Sequence, residues 1–186
     1  MSEKTQMAIF TYDIPRNNSS AYGRVRRKTR NFSVMLNWSA YLIPLSMRDV
    51  LKQVLDEEKQ KTPGLVYHIA KFDDAEEENL KNMVRLSLIR LMTESKKSLL
   101  KAIAEVRSEE ETLDHGHKAV GKAKKALKEA QTLTTVFMMT NELGHALAAF
   151  QEVITAKSLV LDELRNQARA NAEAQEETVT ANAEAS

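Results

Sequence analysis

The chain has 186 residues, of which 42% are apolar and 28% are charged, so it can form a compact core and is neither a disordered nor a fibrous protein. Cysteine is absent, which excludes disulfides, thiolate metal sites and cysteine nucleophiles. The formal net charge of +1 identifies no partner, because basic runs at 24–30 and 118–128 are offset by acidic runs elsewhere.

The first 72 residues alternate between short β-favouring runs and amphipathic helical segments. Pro15 and the polar residues after it end the first run, and Ser19 or Ser20 can cap the helix that follows. In chain order, the predicted elements are a strand over 7–14, a helix over 21–32, a strand over 34–45, a helix over 47–59 and a strand over 65–72. Strands joined by helices indicate an α+β or α/β sheet.

Long amphipathic helices are predicted from residue 73 onward. Carboxylates clustered at 73–78 favour a helix start, because they lie at the positive end of the helix dipole. The apolar residues that follow recur at helical spacing: Leu80, Val84, Leu88, Met92, Leu99, Ile103 and Val106. We expect this helix to end near Leu113, with a turn over 114–117. Whether 118–170 forms one helix or two is left open.

These patterns divide the chain into a sheet domain over 1–72, long amphipathic helices over 73–170 and a mobile tail over 171–186, rich in Ala and Glu. A helix of about forty residues is about 60 Å long, so its apolar stripe needs cover over that whole length. The return helices and a second protomer can supply it. We therefore expect a helical hairpin or coiled coil, a homo-oligomer, and a protein partner docked through helices 74–169.

The sequence also predicts a cytoplasmic location without a membrane partner. The polar N-terminus lacks the basic flank, long apolar stretch and cleavage site of a secretory signal. No apolar run approaches the ~20 residues needed to cross a bilayer.

A family resemblance lies in the first 45 residues. A strand ends in Tyr12, Asp13 and Ile14, an Arg-rich helix follows, and a second strand ends with Tyr41 and Pro44. This pattern resembles the start of the Cas2-like ferredoxin fold, a family that includes the integration subunit of CRISPR systems and related domains of PaaX-type and ChrB-type proteins. Residues 46–72 match by element order alone. The resemblance implies a ferredoxin-like βαβαβ domain over 7–72, followed by a helical extension.

The basic helix is the strongest candidate for a binding site. In a family that often handles DNA, such a helix suggests phosphate contacts, because cations there release counterions condensed on the nucleic acid. The alternatives are a solvated helix face and pairing with the acidic runs of this chain. The candidate residues for binding DNA or RNA are Arg16, Arg24, Arg26, Arg27, Lys28 and Arg30.

Asp13 is a candidate metal ligand through the resemblance alone. In nuclease-type members, the Asp that ends the first strand lies near a dimer axis and is proposed to hold a metal ion. A hard cation such as Mg²⁺ needs several oxygen ligands, so Asp13 would require a second copy of the chain, Asp49 or Asp73. We favour a turn carboxylate at Asp13, and accordingly expect no catalytic residue and no cofactor.

The histidines carry no recognised ligand pattern. His115 and His117 can share a metal, but no carboxylate stands at a typical ligand offset, and a polar turn between helices explains them better. His145 follows Gly144, and His68 falls within a predicted strand. No nucleophile elbow and no Gly-rich phosphate loop occurs in the sequence.

Three functional hypotheses follow. The first is a non-enzymatic, nucleic-acid-associated binding and assembly protein that oligomerises and docks a partner through its helices. The second is a metal-dependent nuclease that uses Asp13 at a dimer axis. The third is a purely structural component of a viral particle or another large assembly. We favour the first, because it accounts for both halves of the chain and needs no missing catalytic group.

Overall fold

The computed structural model describes residues 6–15, 18–37, 39–72 and 76–184. It is a mixed α/β protein with a small antiparallel sheet and a long helical C-terminal region. The elements are β1 (Met7–Asp13), α1 (Ser19–Thr29), β2 (Val34–Asn37), β3 (Ala40–Pro44), a 3₁₀ turn (Leu45–Met47), α2 (Arg48–Lys61), β4 (Val66–Lys71), α3 (Glu77–Arg107), α4 (Leu113–Val136) and α5 (Thr140–Glu184).

The sheet has four strands in the order β2-β3-β1-β4, and every neighbouring pair is antiparallel. The single strand predicted over 34–45 is wrong, because this segment is a hairpin made of β2 and β3. Both strands are apolar, and the turn between Asn37 and Ala40 contains neither Gly nor Pro, so no strong turn signal interrupts the run. The order βαβαβ is therefore replaced by βαββαβ.

One face of the sheet packs against α1 and α2. Alternate residues of β1 and β3 point to this face, as the two-residue period of a strand requires. The helices contribute Val25 of α1 and Leu51 and Leu55 of α2 to the same core, and all three are fully buried. This first core contains Ala8, Phe10, Tyr12, Ile14, Ala21, Val25, Phe32, Tyr41, Ile43, Leu51, Leu55 and Leu65.

The opposite face of the sheet is covered by the long helices. Leu42 and Val34, which are register partners on β3 and β2, lie in a second core with Met7. The helices add Leu80, Val84 and Leu88 from α3, Leu133 from α4, Phe137 and Met139 from the turn, and Leu143 from α5. Part of the apolar surface that we expected to meet a partner is therefore buried within the chain.

The apolar stripe predicted for the third helix is confirmed, since all seven of its residues are buried. The predicted end is wrong: α3 stops at Arg107, and the turn over 114–117 is the start of α4. The chain reverses at Glu109, which has a φ of 61°, while Glu110 donates its N–H to the Glu105 carbonyl. Glycine usually occupies this left-handed position at a helix end. Because the residue here is a glutamate, the sequence contains no signal that α3 ends before it.

Residues 118–170 belong to two helices. α4 ends at Val136, and a second left-handed residue, Met138 with a φ of 56°, precedes α5. α5 continues to Glu184, so the segment predicted as a tail is helical as far as that residue, and its mobility stays a prediction. Within the described ranges, no helix is both long enough and apolar enough to cross a membrane.

The chain divides into two compact units. The sheet unit comprises Met1–Leu91 and Lys128–Leu147, and the helical unit comprises Met92–Leu127 and Ala148–Ser186. The sheet unit contains both cores described above. The predicted domain boundary between residues 72 and 73 stays a prediction, and each compact unit is assembled from two separate stretches of chain.

Gly116 allows close helix packing in the helical unit. A Cβ at this position would lie 2.6 Å from a methyl group of Leu161 on α5 and 3.3 Å from a methyl group of Val106 on α3. Leu161 is fully buried, so its methyl groups have little space into which to move. This packing explains a glycine inside a helix, where glycine costs about 1 kcal/mol relative to alanine.

Gly116→Ala is therefore expected to lower the free energy of unfolding by about 1 kcal/mol net, because the cost of overpacking exceeds the gain in helix propensity. Gly121→Ala in the same helix is the matched control. No atom lies within 4 Å of its added Cβ, so it should stabilise by about 1 kcal/mol. Urea unfolding measures both variants, and two changes of the same sign would contradict the packing at Gly116.

Candidate nucleic-acid interface

The basic helix α1 is held on the sheet by its apolar side. Ala21, Val25 and Thr29 recur every four residues and are fully buried. The Thr29 hydroxyl donates to the Val25 carbonyl at 3.1 Å, so its burial leaves no polar group unpaired. Tyr22 also packs against this core, whereas the basic positions of α1 lie outside the buried face. α1 has no acidic residue in its first turn and three basic residues in its last turn. The negative end of the helix dipole stabilises cations in that last turn.

Arg24 is committed to a contact with α2. Its Nε donates to Glu58 Oε1 at 2.8 Å, and its Nη2 lies 2.6 Å from the same oxygen. Nη1 donates to the Ser20 hydroxyl, and the Thr62 hydroxyl also donates to Glu58 Oε1. Burial alone would raise the pKa of Glu58, but these hydrogen bonds outweigh it, so the pKa lies below its usual value. Arg24 therefore joins two helices and is not free for phosphate.

Lys28 makes a second ion pair between α1 and α2. Its Nζ lies 2.9 Å from Glu57 Oε2, and this hydrogen bond holds the pKa of Glu57 below its usual value. Both side chains are well exposed, so the pair is weak and screened by salt. Arg24 and Lys28 therefore pair with an acidic run of the same chain, which was the alternative to phosphate binding for this helix. Arg16 lies outside the described residues.

Three of the six candidate cations remain available. Arg26, Arg27 and Arg30 are exposed in the last turn of α1 and at its C-cap, and in the part of the chain that the structure describes none has an ion-pair partner. Arg30 lies about one helical turn after both Arg26 and Arg27, so it neighbours each of them on the helix surface. We call these three exposed residues at the end of α1 the arginine patch.

The tyrosines of the family-like pattern lie in the core. The rings of Phe10 and Tyr41 stack with centroids 4.9 Å apart, and Tyr12 stacks on Tyr41 at 5.7 Å. The Tyr12 and Tyr41 hydroxyls are 3.2 Å apart, and burial raises the pKa of Tyr12 strongly. Tyr22 donates its hydroxyl to the Ile14 carbonyl. These residues position β1, β3 and α1 relative to one another. From the sequence alone, this role in packing could not be distinguished from a role in binding.

Asp13 is exposed at the end of β1, where its register partner on β4 is Val66. Asp49 is exposed in the first turn of α2, and Asp73 lies outside the described residues. Among the described residues, no group of three or more His, Asp or Glu side chains is placed to hold a metal ion. The metal role of Asp13 stays an untested prediction.

The histidines take part in local contacts. Both ring nitrogens of His115 lie 3.7 Å from carboxylates, Nε2 from Glu105 and Nδ1 from Glu111. Arg165 of α5 donates to His117 Nε2 at 2.9 Å. His68 is exposed on β4, which is an edge strand. His115 and His117 therefore join helices of the helical unit, and sequence reasoning missed these contacts because their partners lie on other helices or in the preceding turn.

The arrangement as a whole is an arginine patch on a helix that packs against the sheet and is paired to α2. Comparison with known proteins finds no matching family model, no similar curated protein and no similar solved structure.

Proposed function

We propose that the chain is a non-enzymatic, nucleic-acid-associated binding and assembly protein that contacts phosphates through Arg26, Arg27 and Arg30. The observation that carries this proposal is the arginine patch, whose three cations are exposed and unpaired within the described chain. The helices α3 to α5 supply the surface for assembly with other protein chains.

The order of the elements supports a ferredoxin-like domain in the first part of the chain. A βαββαβ order, with both helices on one face of an antiparallel sheet, is the split βαβ arrangement of that fold. The residues that carry the resemblance lie on β1 and β3, in the centre of this sheet: Tyr12, Asp13, Tyr41 and Pro44. We therefore propose a Cas2-like domain, whose open face is covered here by the long helices.

Arginine suits phosphate recognition for physical reasons. Its guanidinium stays charged at all relevant pH values and offers several donors in a planar fork that matches phosphate oxygens. Each phosphate contact releases condensed counterions, which gives binding that does not depend on base sequence and weakens with salt. Two ion pairs hold the helix of the arginine patch on α2. We therefore expect α1 to keep its position when the three arginines bind phosphates.

The test is a salt titration of binding to duplex and single-stranded DNA and to RNA. Replacing Arg26, Arg27 and Arg30 together with glutamine should reduce the slope of log affinity against log salt by about 2 to 3, at about 0.7–0.9 per lost phosphate contact. The matched control replaces Lys52, Lys59 and Lys96, exposed lysines on other helices, with glutamine. It removes the same net charge and should leave the slope nearly unchanged.

Equal losses in the two triple variants would show a general effect of net charge and contradict a phosphate site on α1. Absence of binding by the unaltered protein at low salt would reject the proposed function. The cytoplasmic location stays a prediction.

A further inference from the structure

β4 is an edge strand whose outer side is open in the part of the chain that the structure describes. Its register with β1 is regular over 66–71, and these residues make no backbone hydrogen bond to any other described element. Native edge strands are usually short, bulged, charged or interrupted by proline, because an open row of backbone N–H and C=O groups attracts further strands. β4 contains no proline and no bulge, and its one lysine, Lys71, stands at its end. The edge is therefore available for pairing with another strand.

The opposite edge of the same sheet has the usual protection. β2 has only four residues, and its register with β3 is irregular between Met35 and Asn37. Of the two edges, β4 is thus the one that presents a regular strand of six residues.

The side chains of β4 are largely apolar on both faces of the sheet. Tyr67 and Ile69 are half-buried against the first core, so part of each stays uncovered at the edge. On the other face Val66 is 52% exposed, and His68 and Ala70 are exposed as well. A strand added beside β4 covers apolar surface on both faces and also pairs the open backbone groups.

A second copy of β4 fits this edge when it runs antiparallel about a two-fold axis at His68. Val66 of one copy then faces Ala70 of the other, and Tyr67 faces Ile69, so each face of one sheet continues the same face of its partner. The two Lys71 residues lie at opposite ends of the paired strands, so the pairing brings no lysines together. Two four-stranded sheets become one continuous sheet.

The exposed side of α2 next to β4 carries charges in a self-complementary order. Asp49, Lys52, Asp56 and Lys59 are exposed, lie on one side of the helix at spacings of three and four residues, and form no ion pair among the described residues. Asp56 identifies this side as the one that faces β4, because it accepts a hydrogen bond from the Tyr67 hydroxyl at 2.6 Å. When a second α2 runs antiparallel, Asp49 meets Lys59 and Lys52 meets Asp56, so every charge meets its opposite.

The two self-complementary patterns share one axis. The charges of α2 are centred on residue 54, and the strand pairing is centred on His68. α2 runs opposite to β4, because it connects β3 to β4 and both of these strands are antiparallel to β1. Residue 54 lies about 3 Å along the helix from Asp56, and His68 lies about 3.3 Å along the strand from Tyr67, in the same direction. A single two-fold axis therefore satisfies the strand edges and the helix charges together.

We infer that two copies of this chain form a two-fold dimer in which β4 pairs antiparallel with its counterpart and the charged sides of the two α2 helices face each other. The partner is a second copy of the chain, because a second copy brings both the strand and the ordered charges to the required level. The strand pairing supplies most of the binding, and the charges fix the partner and the register. The inference goes beyond the proposed function, and the contact needs neither nucleic acid nor the helices α3 to α5.

The test is sedimentation of the full chain, freed of nucleic acid, over a wide range of concentration. The lysine variant carries Val66→Lys and Ala70→Lys, and the glutamate variant carries Val66→Glu and Ala70→Glu. These two positions face each other across the axis, so each variant alone should dimerise at least about tenfold more weakly than the unaltered chain. An equimolar mixture should form a heterodimer, because each new cation then faces a new carboxylate. The heterodimer also shows that both variants fold.

The α2 contact is tested by Lys52→Glu with Lys59→Glu, which makes the whole charged side acidic and should weaken the dimer at least about fivefold. Lys124→Glu with Lys125→Glu is the matched control, since it makes the same change of charge at exposed lysines of α4. This control should dimerise like the unaltered chain. Replacing Lys52 and Lys59 with glutamine removes attraction without adding repulsion, so that variant should still dimerise.

A monomeric unaltered chain, a dimer insensitive to the β4 variants, or a mixture without heterodimer would each overturn the inference. Equal weakening by the α2 variant and its α4 control would overturn it as well, since the effect would then be one of net charge. DNA and RNA binding is measured on the same samples. A monomeric chain that binds nucleic acid rejects this contact alone, and a dimer with these properties that binds no nucleic acid rejects the phosphate site alone.

Discussion

Arg24→Met is expected to lower the free energy of unfolding by about 3 kcal/mol at pH 7, because it leaves the carboxylate of Glu58 buried without its cation. Glu58 is fully buried, whereas about a third of the Arg24 side chain is exposed. This exposure places the expected loss at the low end of the range for broken buried pairs. Urea unfolding at constant ionic strength measures the loss.

The loss should depend on pH in a way that identifies Glu58. In the unaltered protein the folded-state pKa of Glu58 is lowered from 4.5, so its contribution to stability is present above pH 4.5 and is lost as the pH falls through the folded value. Without Arg24, burial dominates and the pKa rises above that of the unfolded chain. The variant then loses stability as the pH increases. The difference between the two proteins should therefore shrink from pH 7 towards pH 4.

Lys28→Met is the matched control for this experiment. It removes the neighbouring cation of the same helix, but its ion pair with Glu57 is exposed, so the expected loss is about 0.5 kcal/mol or less. Equal losses in the two variants, or a loss in Arg24→Met that does not change between pH 4 and pH 7, would show that the Glu58 carboxylate is not the group responsible.

The sequence predicted those elements whose apolar residues recur with one clear period. The stripe from Leu80 to Val106 is an example, since each of its residues is buried as a helical period requires. The hairpin of β2 and β3 was missed because an apolar run continues on both sides of its turn. The end of α3 was missed because Glu109 holds a left-handed conformation that usually selects glycine. In both cases the chain reverses direction at residues that have no strong intrinsic preference for a turn conformation.

The candidate site was predicted only as a charged helix. Spacing places Arg24 and Lys28 one turn apart, but their acidic partners lie on α2, 34 and 29 residues away. Only tertiary structure shows that these two cations are paired and that Arg26, Arg27 and Arg30 are not. In the same way, no local pattern indicated that α3 covers the second face of the sheet, since periodicity identifies an apolar stripe but not the surface that it meets.

The largest expected effect outside α1 and α2 concerns this second core. Phe137 follows α4 in the turn before α5, is almost completely buried and packs with Leu42, Leu88 and Leu143. Phe137→Ala removes a ring from a site surrounded by the sheet and three helices, so it should lower the free energy of unfolding by about 3–5 kcal/mol, from lost burial and the cavity left behind. Chemical denaturation, with the slope against denaturant compared between variants, measures this change.

The adjacent residue provides the matched control. Met138 is 57% exposed and has a positive φ, so Met138→Gly loses little burial and relieves a conformation that costs a non-glycine residue about 1 kcal/mol. It should leave stability unchanged or raise it by up to about that amount. A loss below about 1 kcal/mol in Phe137→Ala would mean that the ring is not packed in a core, and the long helices would then not be fixed on the sheet. A large loss at Phe137 beside none at Met138 would show that the helix segments within the sheet unit share one core with the sheet.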